Sequence, residues 1–158
     1  MTQRFNIRKT YPISREKLFE WFTDPKYHEE KSLYSGSLSA VCTRTVEADG
    51  TIVIKLMESM KPFFGKGPEK GTYTGRWNPK SFTENWTYVP QGQEERVKAA
   101  GSSQIVALSD GECAQISMGE IEIKVPLIGG LIEKKVSKMI EEGIHKEEEF
   151  IRMRIQKG

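Results

Sequence analysis

Val125-Pro126-Leu127-Ile128-Gly129-Gly130 is the stretch whose reading decides how this chain folds. Pro126 cannot donate to a sheet ladder, and two consecutive glycines permit a sharp change of direction, so a strand is expected to end here in a bend. Beyond it Leu131, Ile132, Val136, Met139, Ile140, Ile144, Ile151 and Ile155 recur at three- and four-residue steps. That is the period of an amphipathic helix. Glu133, Lys134, Lys138, Glu141, Glu142, Glu148 and Glu149 take its other side. The last thirty residues therefore read as one long helix that supplies the second layer of a core.

Upstream the period is mostly two. Phe5, Ile7, Lys9 and Tyr11 alternate with Asn6, Arg8 and Thr10 as a first strand. Ser14 then suits a helix N-cap, with Leu18, Phe19, Trp21 and Phe22 on a short aromatic helix. Asp24-Pro25 starts a second short helix through Tyr27, His28 and Glu29. From Ser37 six further strands follow. Asp49-Gly50 predicts a type I′ hairpin turn, and Asn78-Pro79, Pro90-Gln91-Gly92 and Asp110-Gly111 mark later turns. In the last strand Ala114, Ile116 and Met118 share one phase, whereas Ile121, Ile123 and Val125 share the other. A bulge at Gly119 is the expected cause. Residues 60–71 break all periodicity and form a loop with a Phe63-Phe64 tip.

Composition excludes several classes. Net charge is +2, from 24 basic and 22 acidic residues, too balanced for nucleic acid to be an obvious partner. No apolar run approaches the roughly 20 residues of a membrane span, and no secretory signal is seen. Cys42 and Cys113 lack metal-ligand spacing and read as free thiols, so a cytoplasmic location is expected. Neither a metal site, a cofactor motif nor a histidine triad is expected. His28 and His145 both fall among charged neighbours and read as surface residues. Gly65-Lys66-Gly67 lacks the spacing of a phosphate-binding loop.

The order of strand, two short helices, six strands and one long helix implies a single α+β domain over residues 1–158. With Asp24-Pro25 after the first helix and the Val125–Gly130 bend followed by Glu133, the chain resembles the START-like or SRPBCC superfamily, also called the helix-grip or birch-pollen-allergen-like fold. The bend most resembles a bacterial branch known only as a domain of unknown function. The resemblance implies a strongly bent antiparallel sheet of about seven strands wrapped around the C-terminal helix, with two short helices between strands 1 and 2. It also implies a hydrophobic cavity between sheet and helix. Members bind lipids, sterols, hormones, polyketides or quinone-like molecules, and some are cyclases. No catalytic set is shared across them.

Within that frame Tyr73, Trp77, Phe82, Trp86 and Tyr88 are candidates for an aromatic cavity wall, or else plain core. Met118, Val136, Met139, Ile140 and Gly143 would complete the lining. Gly143 falls on the apolar face of the helix, where it either opens cavity volume or packs against Trp77 or Trp86. Glu84 is in phase with Phe82, Trp86 and Tyr88. Facing water it is ordinary, which is the expectation here; facing inward it would be a desolvated carboxylate able to accept a proton or anchor a ligand. Arg76 sits on the opposite phase of its strand. Phe63 and Phe64 form a lid, a tip for transient membrane contact, or a closure of the core end. The acidic runs Glu141-Glu142 and Glu147–Glu149 are expected to solvate the outer helix face.

The leading expectation is a binding protein for a small hydrophobic or amphipathic molecule, without stable membrane insertion and without nucleic acid. The alternatives are a cyclase- or dehydratase-type enzyme in the same cavity, with Glu84 or a Tyr hydroxyl as its working group, and an interaction module with a filled core. Oligomeric state is left open.

Overall fold

The computed structural model describes residues 2–62, 67–124 and 129–158, the stretch 129–133 by its backbone alone. The Phe63-Phe64 tip and most of the Val125–Gly130 bend fall outside these residues or their described side chains.

The elements are β1 (Thr2–Tyr11), α1 (Arg15–Phe22), α2 (Pro25–Tyr34), β2 (Ser39–Val46), β3 (Ile52–Met60), β4 (Glu69–Asn78), β5 (Thr83–Pro90), β6 (Val97–Ser109), β7 (Glu112–Ile123) and α3 (Gly129–Lys157). All seven strands form one antiparallel sheet in the order β1-β7-β6-β5-β4-β3-β2. Six strands are thus a simple meander, and the first strand closes onto the last. This is the helix-grip architecture expected from the sequence.

Local chemistry sets the helix ends. The Ser14 hydroxyl accepts from the Lys17 N–H at 3.1 Å, and Asp24 Oδ1 accepts from the Lys26 N–H at 2.9 Å with Pro25 at the first helical position. Each satisfies one of the donors a helix start leaves free. α1 buries Leu18, Trp21 and Phe22, roughly 2–3 kcal/mol for each large apolar side chain removed from water. Together with Tyr27, Ile52, Ile54, Leu56, Trp77, Ile105, Phe150 and Ile151 they form the core.

α3 is tied down over its C-terminal half. Lys9 pairs with Glu148 at 3.2 Å, Arg152 donates to the Thr10 carbonyl at 3.2 Å, and Arg154 reaches Glu30 at 3.0 Å. Among the described residues no helix is long and apolar enough to cross a membrane.

Three local expectations need correction. β7 carries no bulge at Gly119: its register with β1 and β6 runs unbroken through that residue, and the one shift lies in β6 between Ala107 and Ser109. The inward phase throughout β7 is Cys113, Gln115, Ser117, Gly119, Ile121 and Ile123. The apparent phase change arose because that phase is polar at its centre. The Asp49-Gly50 turn is not type I′, since Gly50 alone of the pair has positive φ, at 91°. The chain instead turns over Glu47–Thr51, with the Glu47 N–H donating to the Thr51 carbonyl and Asp49 Oδ1 accepting from the Thr51 N–H. Finally, α3 begins at Gly129, within the glycine pair rather than after it.

Candidate functional site

The strand registers align residues into transverse rows across the face of the sheet that meets α3. One row runs Ile54, Gly75, Trp86, Gly101, Gly119 and Phe5. The next runs Ile52, Trp77, Glu84, Ser103, Ser117 and Ile7. The first row is three glycines interleaved with two aromatics, and the second carries three contiguous polar residues at its centre.

The glycines explain how the aromatics lie. A Cβ on Gly101 would overlap the Trp86 indole and the Met118 carbonyl, and one on Gly119 would overlap both Phe5 and Trp86. On Gly75 it would strike the Glu84 carboxylate and the Tyr73 hydroxyl, and on Gly71 the Tyr88 hydroxyl. The rings therefore lie across the backbone instead of standing away from it. Trp86 stacks with Phe5 at 6.1 Å and 21°. Both remain half-buried, so this floor is not covered by core.

Beside the floor is a polar cluster. Glu84 is 5% exposed, and the Tyr73 hydroxyl donates to it. Burial raises the Glu84 carboxyl to about 7, against the lowering effect of the Tyr73 hydrogen bond and the Lys31 charge. Ser103 and Ser117 share a hydrogen bond of 3.0 Å. From α3, Glu147 accepts from Lys31 Nζ at 3.0 Å and from Gln115 Nε2 at 2.8 Å. Burial opposes charge on both members of the Lys31–Glu147 pair. Their mutual attraction prevails, leaving the lysine raised and the carboxylate lowered. The pair's side chains keep 22% and 27% of their exposure, so they border open space rather than close-packed core.

His28 is 3% exposed and stacks on Tyr73 at 5.8 Å and 30°. Its Nε2–H donates to the Phe22 carbonyl at 2.7 Å, which leaves Nδ1 as an acceptor. Burial and then the Lys31 charge push it down to about 3, so the ring is neutral. Among the described residues four buried polar atoms here lack a partner: His28 Nδ1, Gln115 Oε1, Tyr27 Oη and Trp77 Nε1.

Several expectations about side chains are thereby sorted. Tyr73, Trp86 and Tyr88 share the inner face, and Arg76 lies outside, paired with Glu47. Glu84 is buried, contrary to the solvated reading, because its strand phase faces α3. His28 is buried rather than superficial, since α2 turns it onto Tyr73. Glu147 points inward to Lys31, so the run Glu147–Glu149 is not wholly an outer face; His145 is exposed as expected.

Trp77 is core, packed between Phe19 at 5.7 Å and Phe22 at 5.9 Å. Phe82 precedes β5 with φ of 57° and packs under α1, against Phe19 and the Arg15 guanidinium. It is not part of the Trp86 floor. Met118 is 50% exposed on the opposite face of β7. There it lines a broad, open depression of about 1090 Å³, whose rim carries the Arg4–Glu120 ion pair. Phe5, Gly101 and Gly119 of the aromatic row also border that depression, but Trp86 and the buried polar cluster do not, so it is not the candidate site.

On α3, Val136 is fully buried and Ile140 half-buried, while Met139 is 45% exposed. Nothing lies within 4 Å of a Cβ placed on Gly143, so the glycine does not pack against Trp77 or Trp86. Cys42 and Cys113 are buried free thiols, raised by burial to about 12 and about 11. Among the described residues no group of three or more His, Cys, Asp or Glu side chains could hold a metal.

The fold has solved relatives. The Zhui aromatase/cyclase from Streptomyces sp. R1128 matches with a TM-score of 0.69 at 9% identity, covering 96% of this chain and 92% of that one. A START superfamily protein from Mycobacterium smegmatis matches at 0.63 and 13%, covering 95% and 97%. Norcoclaurine synthase from Thalictrum flavum, solved with dopamine and hydroxybenzaldehyde, matches at 0.65 and 12%, covering 99% and 88%. At these identities the likeness is one of fold, and the fold is START-like. No curated protein matches the sequence. Residues 6–155 do match one family over nearly the whole chain, and the protein belongs to that family, described as a protein of unknown function, DUF2505.

Proposed function

We propose that the chain binds a small amphipathic molecule between the inner face of the sheet and α3. The observation that carries this reading is the pairing of two adjacent rows. Trp86 and Phe5 lie flat and half-exposed over Gly101 and Gly119, and the next row presents Glu84, Ser103 and Ser117. An apolar body on the first row would bring a polar end to the second, the usual division of labour in a ligand pocket. α3 makes a fitting roof. From Gly129 to Glu147 it rises ~27 Å at 1.5 Å per residue, about the length of β7 from Ile123 back to Gln115 at 3.4 Å per residue. Its middle turns, with Val136, Met139 and Ile140, thus fall near the level of the aromatic row, and Gly143 near that of Ser117.

The test is native mass spectrometry of the purified protein together with titration by a neutral, environment-sensitive apolar dye. One equivalent of dye is expected to bind, and Trp86→Ala should weaken it by about tenfold or more, the order for one lost aromatic contact of ~1.4 kcal/mol. No co-purifying mass and no saturable dye binding would refute the reading.

A second reading is supported by Glu84. A buried carboxyl near 7 that shares a proton-bearing contact with Tyr73 suits proton transfer on a bound molecule. Exchange of the α-protons of a bound apolar ketone with solvent deuterium would test it. Exchange no faster than in buffer, or unchanged in Glu84→Gln, would exclude it.

A further inference from the structure

The interior binding reading can be carried to the chemistry of the ligand's polar end, and the following rests on that reading. We infer that the site selects molecules whose polar end is a hydrogen-bond donor, above all an ammonium group, and discriminates against carboxylates such as fatty acids.

The first observation is the count of charges around the space. Glu84 on β5, Glu147 on α3 and Glu58 on β3 all act on a single cation, Lys31 of α2. Lys31 Nζ is already engaged by Glu147. Lys9, the next cation on the inner face, is paired with Glu148 at 3.2 Å. Glu58 accepts from Ser32 and Ser37. Both of these inner-face cations are therefore already held by carboxylates, and among the described residues no cation lies at ion-pair distance from Glu84. An incoming carboxylate would meet like charge in a medium of low effective dielectric, where such repulsion is several times stronger than in water.

The second observation is independent of charge. Two acceptors are stranded in the same cluster, each on a side chain at least nine-tenths buried. Gln115 donates its amide to Glu147 and so leaves Oε1 without a partner, and His28 donates Nε2–H to Phe22 and leaves Nδ1 without one. A buried acceptor without a donor is costly, and a donor-bearing ligand removes that cost. The two stranded donors do not offset this preference. Trp77 Nε1 is enclosed among Phe19 and Phe22 at the α1 end of its row, and Tyr27 Oη accepts as readily as it donates. The half-exposed Trp86 face adds a surface that attracts cations and has no affinity for anions.

Competition against a bound neutral apolar dye at about pH 8 tests this, with decylamine, decanol and decanoate as equal-length competitors differing only in headgroup. Decylamine should displace the dye at a concentration at least about tenfold lower than decanoate, with decanol between them, the order expected of one uncompensated charge. Glu84→Gln should narrow the amine-to-carboxylate ratio several-fold, and an unchanged ratio would overturn the inference. Gln115→Met, which removes a stranded acceptor without altering charge, should weaken decylamine and decanol together. Decanoate competing as well as decylamine in the wild-type protein overturns the inference even though dye binding stands. A wild-type protein that binds no dye overturns the binding reading and this inference with it.

Discussion

Replacing Glu84 by Gln is the sharpest probe of the interior. The carboxyl lies at about 7 in the folded chain against an ordinary value of 4.5. Below about pH 4.5 it is protonated whether the chain is folded or not, and burial of the neutral acid carries no linkage cost. Between 4.5 and 7 the unfolded chain releases its proton while the folded chain keeps it, so this group makes stability fall as pH rises. Above 7 the whole cost is present, ~3 kcal/mol at about 1.4 kcal/mol per pH unit. Gln keeps a carbonyl oxygen to accept from Tyr73 and carries no charge. Glu84→Gln should therefore be more stable than wild type by ~3 kcal/mol near pH 8 and nearly equal to it near pH 4.5, a gap of roughly 6–10 °C in melting temperature for a chain of this size. The comparison must be a difference between the two proteins, because His28 works in the opposite sense. Its folded value of about 3 against 6.5 contributes stability above 6.5 that is lost as pH falls towards 3. Urea unfolding of both proteins at several pH values between 4.5 and 8 supplies the measurement. Parallel stability curves across that range would refute the reasoning, since they would mean that Glu84 titrates as an ordinary solvated carboxylate.

Three other substitutions test the surroundings. Gly143→Ala should raise stability by ~1 kcal/mol, because the position is exposed with nothing within 4 Å of the added methyl; a loss in thermal melting would show that something packs there. Gly101→Ala should cost at least ~1–3 kcal/mol and shift tryptophan emission, because the methyl meets a backbone carbonyl as well as the Trp86 ring. Unchanged emission and melting would contradict the placement of the ring across the glycine. Lys31→Met should cost ~2 kcal/mol by stranding Glu147, the low side for a buried pair because both partners keep some exposure. Adding Glu147→Gln should restore most of it, and strict additivity in denaturant unfolding would argue against coupling.

The architecture was legible because its signals are periodic. The apolar steps of α3, the Ser14 and Asp24-Pro25 caps and the turn residues each report one element, and each element exists. The site was less so. Tyr73, Trp86 and Tyr88 could be placed on one face from alternation, but not the side of the sheet that face meets. His28 and Glu147 read as solvated because their neighbours are charged, and no local pattern marks Lys31, Ser103, Gln115 or Ser117 as inward. One signal was available: the phase of Ile121 and Ile123, continued back along β7 without interruption, leads to Gly119, Ser117 and Gln115. An inserted bulge absorbed the conflict that those residues posed. Lys31 and Glu147 meet across 116 positions, and no local pattern reports such a meeting.

The closure of β1 onto β7 also bears on how the molecule is made. β2 to β7 are a run of hairpins, and each strand finds its partner among its immediate neighbours in the chain. β1 has no such neighbour. Arg4 meets Glu120 across 116 positions, and Arg152 reaches the Thr10 carbonyl across 142. Pairing β1 therefore closes the longest loop in the sheet, and contacts of such long sequence separation slow folding. Lys31 and Glu147 also meet across 116 positions. The polar cluster and the β1–β7 seam thus depend on closures of the same length, joining the two ends of the described chain.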